Sequence, residues 1–229
     1  MNPPESLSRS DLRAADKCAI DVVKVPGVVL MENAGRNAAD AIESFLGGLA
    51  GRTVAVVAGA GNNAGDGFVV ARHLAMRGAK VATFLVAGRS KISGDAEINL
   101  SILDNLGHDV RSIEPSEIPK LGKELSRYDV VVDAVGGTGI EGELRGPLAD
   151  AVEQINASGR PVVAIDIPTG LDCDTGKPAG PAVRAALTVT MFARKKGFDA
   201  KGAAEYTGQV RVVDIGVPAE IVTRIAGRP

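Results

Sequence analysis

The stretch Thr53–Arg77 decides the fold of this chain. It reads T-V-A-V-V-A (Thr53–Ala58), then G-A-G-N-N-A-G-D (Gly59–Asp66), then G-F-V-V-A-R-H-L-A-M-R (Gly67–Arg77). The apolar run is typical of a buried parallel strand, the glycine-rich run of a tight loop, and the last segment of an amphipathic helix. This strand–loop–helix unit predicts an α/β fold in which the amino end of the helix faces a ligand above the sheet.

The glycine loop is suited to holding a nucleotide or another anion. Gly59, Gly61 and Gly65 let the backbone approach a ligand closely, and Asp66 is predicted to cap the following helix. The spacing differs from G-x-G-x-x-G because the third glycine comes one residue late. We therefore expect a nucleotide-like ligand here, but not the usual geometry of a hydride-transfer site.

The composition indicates one α/β domain with an aliphatic core. Of 229 residues, 45% are hydrophobic but only 3% are aromatic, so Val, Ala, Leu and Ile must fill the interior. The formal net charge of −2 gives no general attraction to nucleic acid or to an anionic membrane. Cys18 and Cys173 form neither a metal motif nor a disulfide framework, and the N-terminus lacks the apolar core of a signal peptide. We expect a cytoplasmic protein with a single domain over residues 1–229.

Strands and helices alternate along most of the chain after an all-helical start. The predicted helices are Ser10–Val25, Val28–Phe45, Gly67–Arg77, Asp95–Leu106, Pro119–Arg127 and Pro147–Asn156. The predicted strands are Thr53–Ala58, Lys80–Val86, Asp109–Ile113, Val130–Ala134, Pro161–Ile167, Leu187–Phe192 and Gln209–Ile215. Right-handed crossovers then give a largely parallel sheet with helices on both faces. Shorter links between the last strands leave an antiparallel edge open as an alternative there.

Polar groups follow four of the predicted strands at their carboxyl ends, where open α/β sheets bind ligands. They are the pair Asn62 and Asn63, a second glycine loop V-G-G-T-G-I-E-G-E-L-R-G-P (Val135–Pro147) preceded by Asp133, the residues Asp166 and Thr169, and the lysines Lys195 and Lys196. Each feature alone is common in turns and helix caps, and a lysine pair is more often solvated surface. Their coincidence at successive strand ends predicts one site at this rim.

Four stretches resemble the family of NAD(P)H-hydrate epimerases, the N-terminal half of bifunctional enzymes that repair hydrated nicotinamide cofactors. They are V-L-M-E-N-A-G-R (Val29–Arg36), A-G-A-G-N-N-A-G-D-G-F-V-V-A-R-H-L (Ala58–Leu74), D-A-V-G-G-T-G-I-E-G-E-L-R-G-P (Asp133–Pro147) and A-I-D-I-P-T-G-L-D-C-D-T-G (Ala164–Gly176). The resemblance implies a Rossmann-like three-layer α/β/α sandwich with extra N-terminal helices. It also implies an isomerase that interconverts the R and S forms of hydrated NADH and NADPH.

The resemblance implies the residues of the site as well. The substrate would be bound by Asn62, Asn63, Ala64, Gly65, Asp66, Gly137, Thr138, Gly139, Ile140, Glu141, Gly142, Glu143 and Asp166. One potassium ion would be held by Asn63, Asp133 and Thr169. Three positions depart from the family pattern: Ala64 replaces a usual glycine, Gly136 a larger apolar residue, and Thr169 a serine. Threonine keeps the hydroxyl oxygen, so the potassium site survives that change.

The implied reaction suits Asp166 as the catalytic residue. Hydration leaves a hydroxyl on the carbon beside the ring nitrogen, and this centre inverts by losing hydroxide to give an iminium cation and regaining water on the other face. A fixed carboxylate can stabilise the cation and assist the proton transfer. No proton leaves carbon, so a catalytic histidine is unnecessary. The carbonyl, carboxylate and hydroxyl oxygens of the potassium set suit a hard cation, although without the resemblance Asn63 and Thr169 would be interpreted as turn residues.

Two other classes are alternatives. The first is a non-catalytic nucleotide-binding or assembly module on the same fold, because a fold alone does not determine activity. Asp133, Asp166 and the N-N-x-G-D loop favour catalysis instead. The second is a redox or methyl-transfer enzyme. Two features argue against it: the third glycine comes one residue late, and Arg89 lies where a dinucleotide enzyme often has an acidic residue that binds the ribose. As partners we expect a separate NAD(P)H-hydrate dehydratase and, from the apolar faces of the N-terminal helices, a homodimer.

Overall fold

In a computed structural model, which describes residues 6–227, a parallel β-sheet forms the centre of the molecule. The strands within that range are β1 (Ser6–Leu7), β2 (Thr53–Ala58), β3 (Lys80–Leu85), β4 (Asp109–Ser112), β5 (Val130–Ala134), β6 (Val162–Ile165), β7 (Leu187–Met191), β8 (Arg194–Lys195) and β9 (Gln209–Val213). Seven of them form the main sheet in the order β4-β3-β2-β5-β6-β7-β9, with every neighbouring pair parallel. The short strands β1 and β8 pair separately, also in parallel.

Helices cover both faces of this sheet. They are α1 (Arg9–Asp21), α2 (Gly27–Leu46), α3 (Asn62–Met76), α4 (Asp95–Asn105), α5 (Ile118–Leu125), α6 (Pro147–Ala157), α7 (Ala204–Thr207) and α8 (Ala219–Ala226), with 3₁₀ turns at Arg89–Lys91 and Lys196–Asp199. Because side chains alternate along a strand, Val54 and Val56 belong to the core shared with α1–α4 and α8, whereas Ala55 and Val57 belong to the core shared with α5 and α6. None of the helices within residues 6–227 is long and apolar enough to cross a membrane.

The three-layer α/β/α fold class is confirmed, and the structure decides two details. The alternative of an antiparallel edge is excluded, since β9 pairs with β7 in parallel from Leu187↔Gln209 to Met191↔Val213. The intervening chain, which contains β8 and α7, is long enough to return to the same end of the sheet. Helix α3 begins at Asn62 with Gly61 as its N-cap, so Asp66 lies inside the helix and does not cap it.

The order of the strands reverses between β2 and β5, and this point positions the site. The chain runs from β2 outward to β3 and β4, and then returns to place β5 on the other side of β2. The two following loops touch, because the N–H of Gly59 donates to the carbonyl of Ala134 over 3.2 Å. A Cβ at Gly59 would overlap the carbonyl of Val135, so this approach requires glycine. Such a reversal opens a crevice at the carboxyl ends of the strands.

Candidate active site

A cavity of about 1260 Å³ lies over the carboxyl ends of the strands. The loops after β2, β3, β4, β5, β6 and β7 all contribute to its wall. Helix α1 closes one side with Leu12, Arg13 and Asp16. Of the residues expected in the site, the cavity is lined by Asn62, Asn63, Asp66, Gly137, Thr138, Gly139, Ile140 and Asp166. These eight residues come from the start of α3, the second glycine loop and the end of β6, which are far apart in sequence, and the fold brings them around one volume.

Asp166 is held at both of its carboxylate oxygens. Oδ1 lies 2.6 Å from Nζ of Lys195, and Oδ2 accepts a hydrogen bond of 3.2 Å from the N–H of Thr138. Its backbone has φ 68°, a left-handed conformation that is uncommon for a residue other than glycine. Lys195 is only 2% exposed and pairs with this carboxylate inside the protein. The strand end, the second glycine loop and β8 therefore hold one carboxylate at the cavity wall.

Two further carboxyl groups, those of Asp66 and Asp16, lie near this ion pair. Desolvation raises the pKa of Asp66 well above its ordinary value, and the negative charges of Asp166 and Asp16 raise it further, while Lys195 opposes the shift. Burial, followed by the charge of Asp166, also raises the pKa of Asp16. Three carboxyl groups thus share the field of one lysine ammonium. Asp66 therefore holds its proton more tightly than an ordinary aspartic acid, and it lies where a proton could pass to a ligand in the cavity.

Asp133 and Thr169 form a buried hydrogen-bonded pair beneath the cavity floor. The hydroxyl of Thr169 donates to Oδ1 of Asp133 over 2.7 Å, and its N–H donates to Oδ2 over 2.9 Å. The N–H of Gly136 donates to the same hydroxyl over 2.9 Å. Burial raises the pKa of Asp133 to about 6, although hydrogen bonds from Thr169 and Val135 act against the shift. Within residues 6–227 no ion pair compensates this carboxyl group.

The side-chain amide of Asn63 is buried and makes no hydrogen bond with the described part of the chain, through either its oxygen or its nitrogen. It lies beside Gly137, where an added Cβ would come 3.4 Å from Cγ of Asn63 and 3.0 Å from Oδ2 of Asp166. A buried amide without partners is costly, so its place at the cavity wall indicates a ligand that supplies them. Carboxylate, hydroxyl and amide oxygens are the donors that a hard cation prefers, so these residues fit a potassium ion.

Five residues expected in the substrate site do not line the cavity. Ala64 and Gly65 are buried within the helix packing, where a Cβ at position 65 would meet Met31. Glu141 pairs with Arg13 over 2.8 Å at the surface, and Glu143 pairs with Arg145 over 3.0 Å. Gly142 takes φ 76° in the turn between them. In this structure these positions shape the first turn of α3 and the second glycine loop, whereas Asn63, Asp66 and Thr138 face the cavity.

Reasoning from sequence left three residues of the site without an assigned role. Lys195 and Lys196 belong to the strand-end groups predicted to meet at the rim, although such a pair is more often solvated surface; Lys195 is in fact buried against Asp166, whereas Lys196 is exposed. Asp16 belongs to no recognisable motif, because acidic residues occur on several helices of this chain and nothing in the sequence distinguishes this one. Arg9 is nearly buried and bonds to the second glycine loop. These roles depend on contacts between distant segments, and only the strand-end position of Lys195 offered a signal.

A parallel α/β/α sandwich with a carboxylate-lined crevice at its reversal point defines a Rossmann-like protein with a nucleotide-type site. Residues 27–197 match the family model described as YjeF-related protein N-terminus. The chain belongs to this family, that of the NAD(P)H-hydrate epimerases.

Individual relatives agree with this placement. The chain is 40% identical over 224 residues to the NAD(P)H-hydrate epimerase of Rhodopirellula baltica, covering 98% of this chain and 88% of the relative. It is 39% identical over 218 residues to the bifunctional NAD(P)H-hydrate repair enzyme Nnr of Moorella thermoacetica, covering 94% of this chain but only 41% of that enzyme. The crystal structure of yeast ynu0 shares the fold, with a TM-score of 0.81, 24% identity, and coverage of 99% of this chain and 95% of the yeast chain.

Proposed function

We propose that this chain is an NAD(P)H-hydrate epimerase that interconverts the R and S forms of hydrated NADH and NADPH. The observation that carries the proposal is the carboxylate of Asp166, which Lys195 and the N–H of Thr138 hold at the wall of a cavity of about 1260 Å³. The chain is also 40% identical, over almost its whole length, to a protein named NAD(P)H-hydrate epimerase. A carboxylate fixed in this way is suited to a reaction that develops positive charge on a ring.

The proposed steps need one anion and one exchangeable proton. The C–O bond of the hydrated ring breaks as the ring nitrogen donates its electron pair, which leaves an iminium cation opposite Asp166. Asp66, whose pKa is raised, gives its proton to the departing hydroxide, so that water leaves. A water molecule then adds to the other face and returns a proton to Asp66. The net change is inversion at one carbon, with no oxidation and no group transferred to the protein.

We also propose that one potassium ion binds between Asn63, Asp133 and Thr169. The oxygen of Asn63, which accepts no hydrogen bond within residues 6–227, and the buried carboxyl group of Asp133 support this site, because a cation would satisfy the first and neutralise the second. When bound, the ion would supply a fixed positive charge to the loops of the cavity. Thr169 would then fix the loop after β6 through its hydroxyl, and the loop after β5 through its contact with Gly136.

The proposal extends to the setting of the reaction. We propose that the protein acts in the cytoplasm and that a dehydratase on a separate chain consumes the S epimer. We further propose a homodimer that covers the exposed aliphatic residues at and after the end of α1, namely Ile20, Val22 and Val23, together with Val29 of α2. Light scattering coupled to size-exclusion chromatography measures the oligomeric state. A monomer at all concentrations would contradict the dimer while leaving the epimerase proposal intact.

The test of the function is an epimerisation assay on separated R and S forms of hydrated NADH and NADPH. We expect the protein to bring either form to the equilibrium mixture faster than the enzyme-free reaction, as followed by chromatography. Replacing Asp166 by Asn should reduce the rate about 10²–10⁴-fold, since general acid–base and electrostatic help is of that size. If the wild type gives the enzyme-free rate but still binds NADP⁺, the chain is a binding module and the epimerase proposal is wrong.

A further inference from the structure

The guanidinium of Arg9 lies between the two loops that form the reactive end of the cavity. One side is the second glycine loop, where Nη1 donates to the carbonyl of Thr138 and, over 2.7 Å, to that of Ile140. The other side is the loop after β6, where Nη2 donates over 2.8 Å to Oδ2 of Asp172. The side chain is about 9% exposed, so these bonds are largely shielded from water. A buried charge bonded on both sides ties the two loops together.

Thr138 links this clamp directly to Asp166. Its carbonyl accepts from Arg9, and its N–H donates over 3.2 Å to Oδ2 of Asp166. The same carboxylate is held on its other oxygen by Lys195, whose strand β8 pairs with β1 in the register Leu7↔Lys195. Ser6–Leu7 thus supports one oxygen of Asp166 through Lys195, and Arg9 supports the other oxygen through Thr138.

The segment that carries Arg9 lies outside residues 27–197, the range that matches the family model. It is nevertheless firmly attached to the body of the protein. Ser8 and Asp11 form a capping box at the start of α1, and the N–H of Arg9 donates over 2.8 Å to Oδ1 of Asp174. The position of the guanidinium is therefore set by a defined helix start, and not by a free end of the chain.

We propose that Arg9 is a positioning residue that holds the Thr138–Ile140 loop, and through it the carboxylate of Asp166, in the geometry for epimerisation. The kinetic part of this proposal rests on the proposed function. A guanidinium is needed because its planar fork donates to two carbonyls and a carboxylate at once, which the single ammonium of a lysine does not reproduce. Arg9 does not line the cavity, so it acts through Thr138 and not on the substrate.

The test compares Arg9→Ala and Arg9→Lys with wild type in steady-state kinetics. We expect kcat to fall about 10–100-fold in both variants, because small misplacements of a reacting group have effects of that size. KM should change much less, since the nucleotide-binding wall is intact. Added guanidinium at a concentration far below denaturing should restore part of the activity of Arg9→Ala but not of wild type. A purely structural loss of stability would not respond in this way.

Hydrogen exchange of the ligand-free protein gives a readout that does not depend on turnover. In Arg9→Ala the amides of Thr138 and Ile140 should exchange faster, while those of β2 and β5 keep their protection. The matched control is Arg127→Ala, which removes an exposed arginine in an ion pair with Glu124 on α5, away from the cavity. It should change neither kcat nor exchange in the loop.

If Arg9→Ala does not fold, Asp172→Asn replaces it as the test variant. This change keeps the size of the side chain that accepts from Arg9 but removes its charge. We expect a smaller change in the same direction in kcat and in exchange of the loop. Wild-type kcat together with wild-type exchange in Arg9→Ala would overturn the proposal, and so would faster exchange with unchanged kcat. A wild-type protein that does not epimerise would refute the proposed function, whereas the exchange data would still test the clamp.

Discussion

Nζ of Lys195 lies 2.6 Å from Oδ1 of Asp166, and this ion pair is largely withdrawn from solvent. The ammonium also lies 3.4 Å from the carbonyl of Met191 and 5.7 Å from the centroid of the Phe192 ring. Among the described residues Asp166 is the carboxylate in direct contact with Lys195, and the carboxyl groups of Asp66 and Asp16 act on the ammonium from farther away. Asp166 follows β6, and Lys195 lies in β8, shortly after β7, which neighbours β6 in the main sheet, so the pair also fixes the mutual position of the chain after β6 and after β7.

Removing one partner of this pair should cost both activity and stability. In Asp166→Asn the buried ammonium of Lys195 loses its direct ion-pair partner, and breaking a buried pair in this way typically destabilises a protein by about 3–5 kcal/mol. Adding Lys195→Met removes the ammonium as well, so the double variant should regain most of the stability but none of the activity. Urea denaturation and the epimerisation assay measure the two effects separately. Additive losses of stability in the double variant would show that the two side chains are not coupled.

The raised pKa of Asp66 predicts a stability difference that depends on pH. The folded protein holds this proton more tightly than the unfolded chain, so stability is lost as pH rises above the ordinary pKa of aspartic acid, near 4. Asp66→Asn removes this titration. The melting temperature of Asp66→Asn relative to that of wild type should therefore increase as pH rises from 4 to 8, as measured by calorimetry.

Asp129 provides the opposite control for that measurement. Hydrogen bonds from the N–H and hydroxyl of Thr53 lower its pKa, so it contributes stability that is lost as pH falls through the folded pKa. Asp129→Asn should thus lose stability relative to wild type as pH rises from acid to neutral. A melting temperature of Asp66→Asn that runs parallel to wild type across this range would contradict the assignment of a retained proton to Asp66.

Potassium should stabilise the protein through Thr169. We expect potassium chloride to raise the melting temperature of wild type more than the same concentration of sodium chloride does. The reason is that an ion stabilises the folded protein in proportion to how tightly it binds there, and the proposed site fits potassium. Thr169→Val removes the hydroxyl beside Asp133, should cost about 1–3 kcal/mol for the bonds left unmade, and should abolish the potassium response. Thr169→Ser should retain it.

Thr83→Val is the matched control for this experiment. Its hydroxyl is buried on β3 and makes no hydrogen bond with the described residues, so valine should be neutral or stabilising there and should leave the potassium response unchanged. Equal responses of wild type, Thr169→Val and Thr83→Val to potassium would remove the proposed ion site.

Gly136 and Ile140 should show coupled effects. A Cβ at position 136 would overlap the side chain of Ile140 and lie 3.7 Å from Cγ2 of Thr169, so the isoleucine occupies the space that a larger residue would fill. Gly136→Ala should therefore displace Ile140 and weaken binding of NADP⁺ by roughly tenfold, about 1.4 kcal/mol. The pair Gly136→Ala with Ile140→Ala should bind more tightly than Gly136→Ala alone. Calorimetric titration with NADP⁺ tests this, and strictly additive effects would contradict the overlap.

Much of the fold could be predicted because buried parallel strands are continuous apolar runs. Thr53–Ala58 and Val130–Ala134 were bounded correctly for that reason. The start of α3 was misplaced because N-N-A-G-D is typical of turns. Packing overrides that preference, since a Cβ at Gly67 would lie 2.5 Å from that of Ala134, so the helix approaches β5 closely through its glycine.

The site was only partly predictable. Strand-end positions identified Asp166 as a cavity residue, and Asp133 and Thr169 as neighbours, because parallel strands present their carboxyl ends at one edge. Arg9 and Asp16 carry no local pattern, and their role arises when α1 folds back over the loops. The assignment of an ion to Asn63 came from the resemblance and not from the residues alone, and it stays a prediction.

The pairing of β1 with β8 has a consequence for biosynthesis. Ser6–Leu7 is translated long before its partner Arg194–Lys195, which follows only after six of the seven strands of the main sheet. Until then Asp166 lacks the ammonium of Lys195, and Ser6–Leu7 lacks the strand with which it pairs. Contacts this distant in sequence form late in folding. A ribosome-bound intermediate halted before residue 194 would therefore hold the sheet's first strands and the glycine loops, yet be unable to turn over substrate.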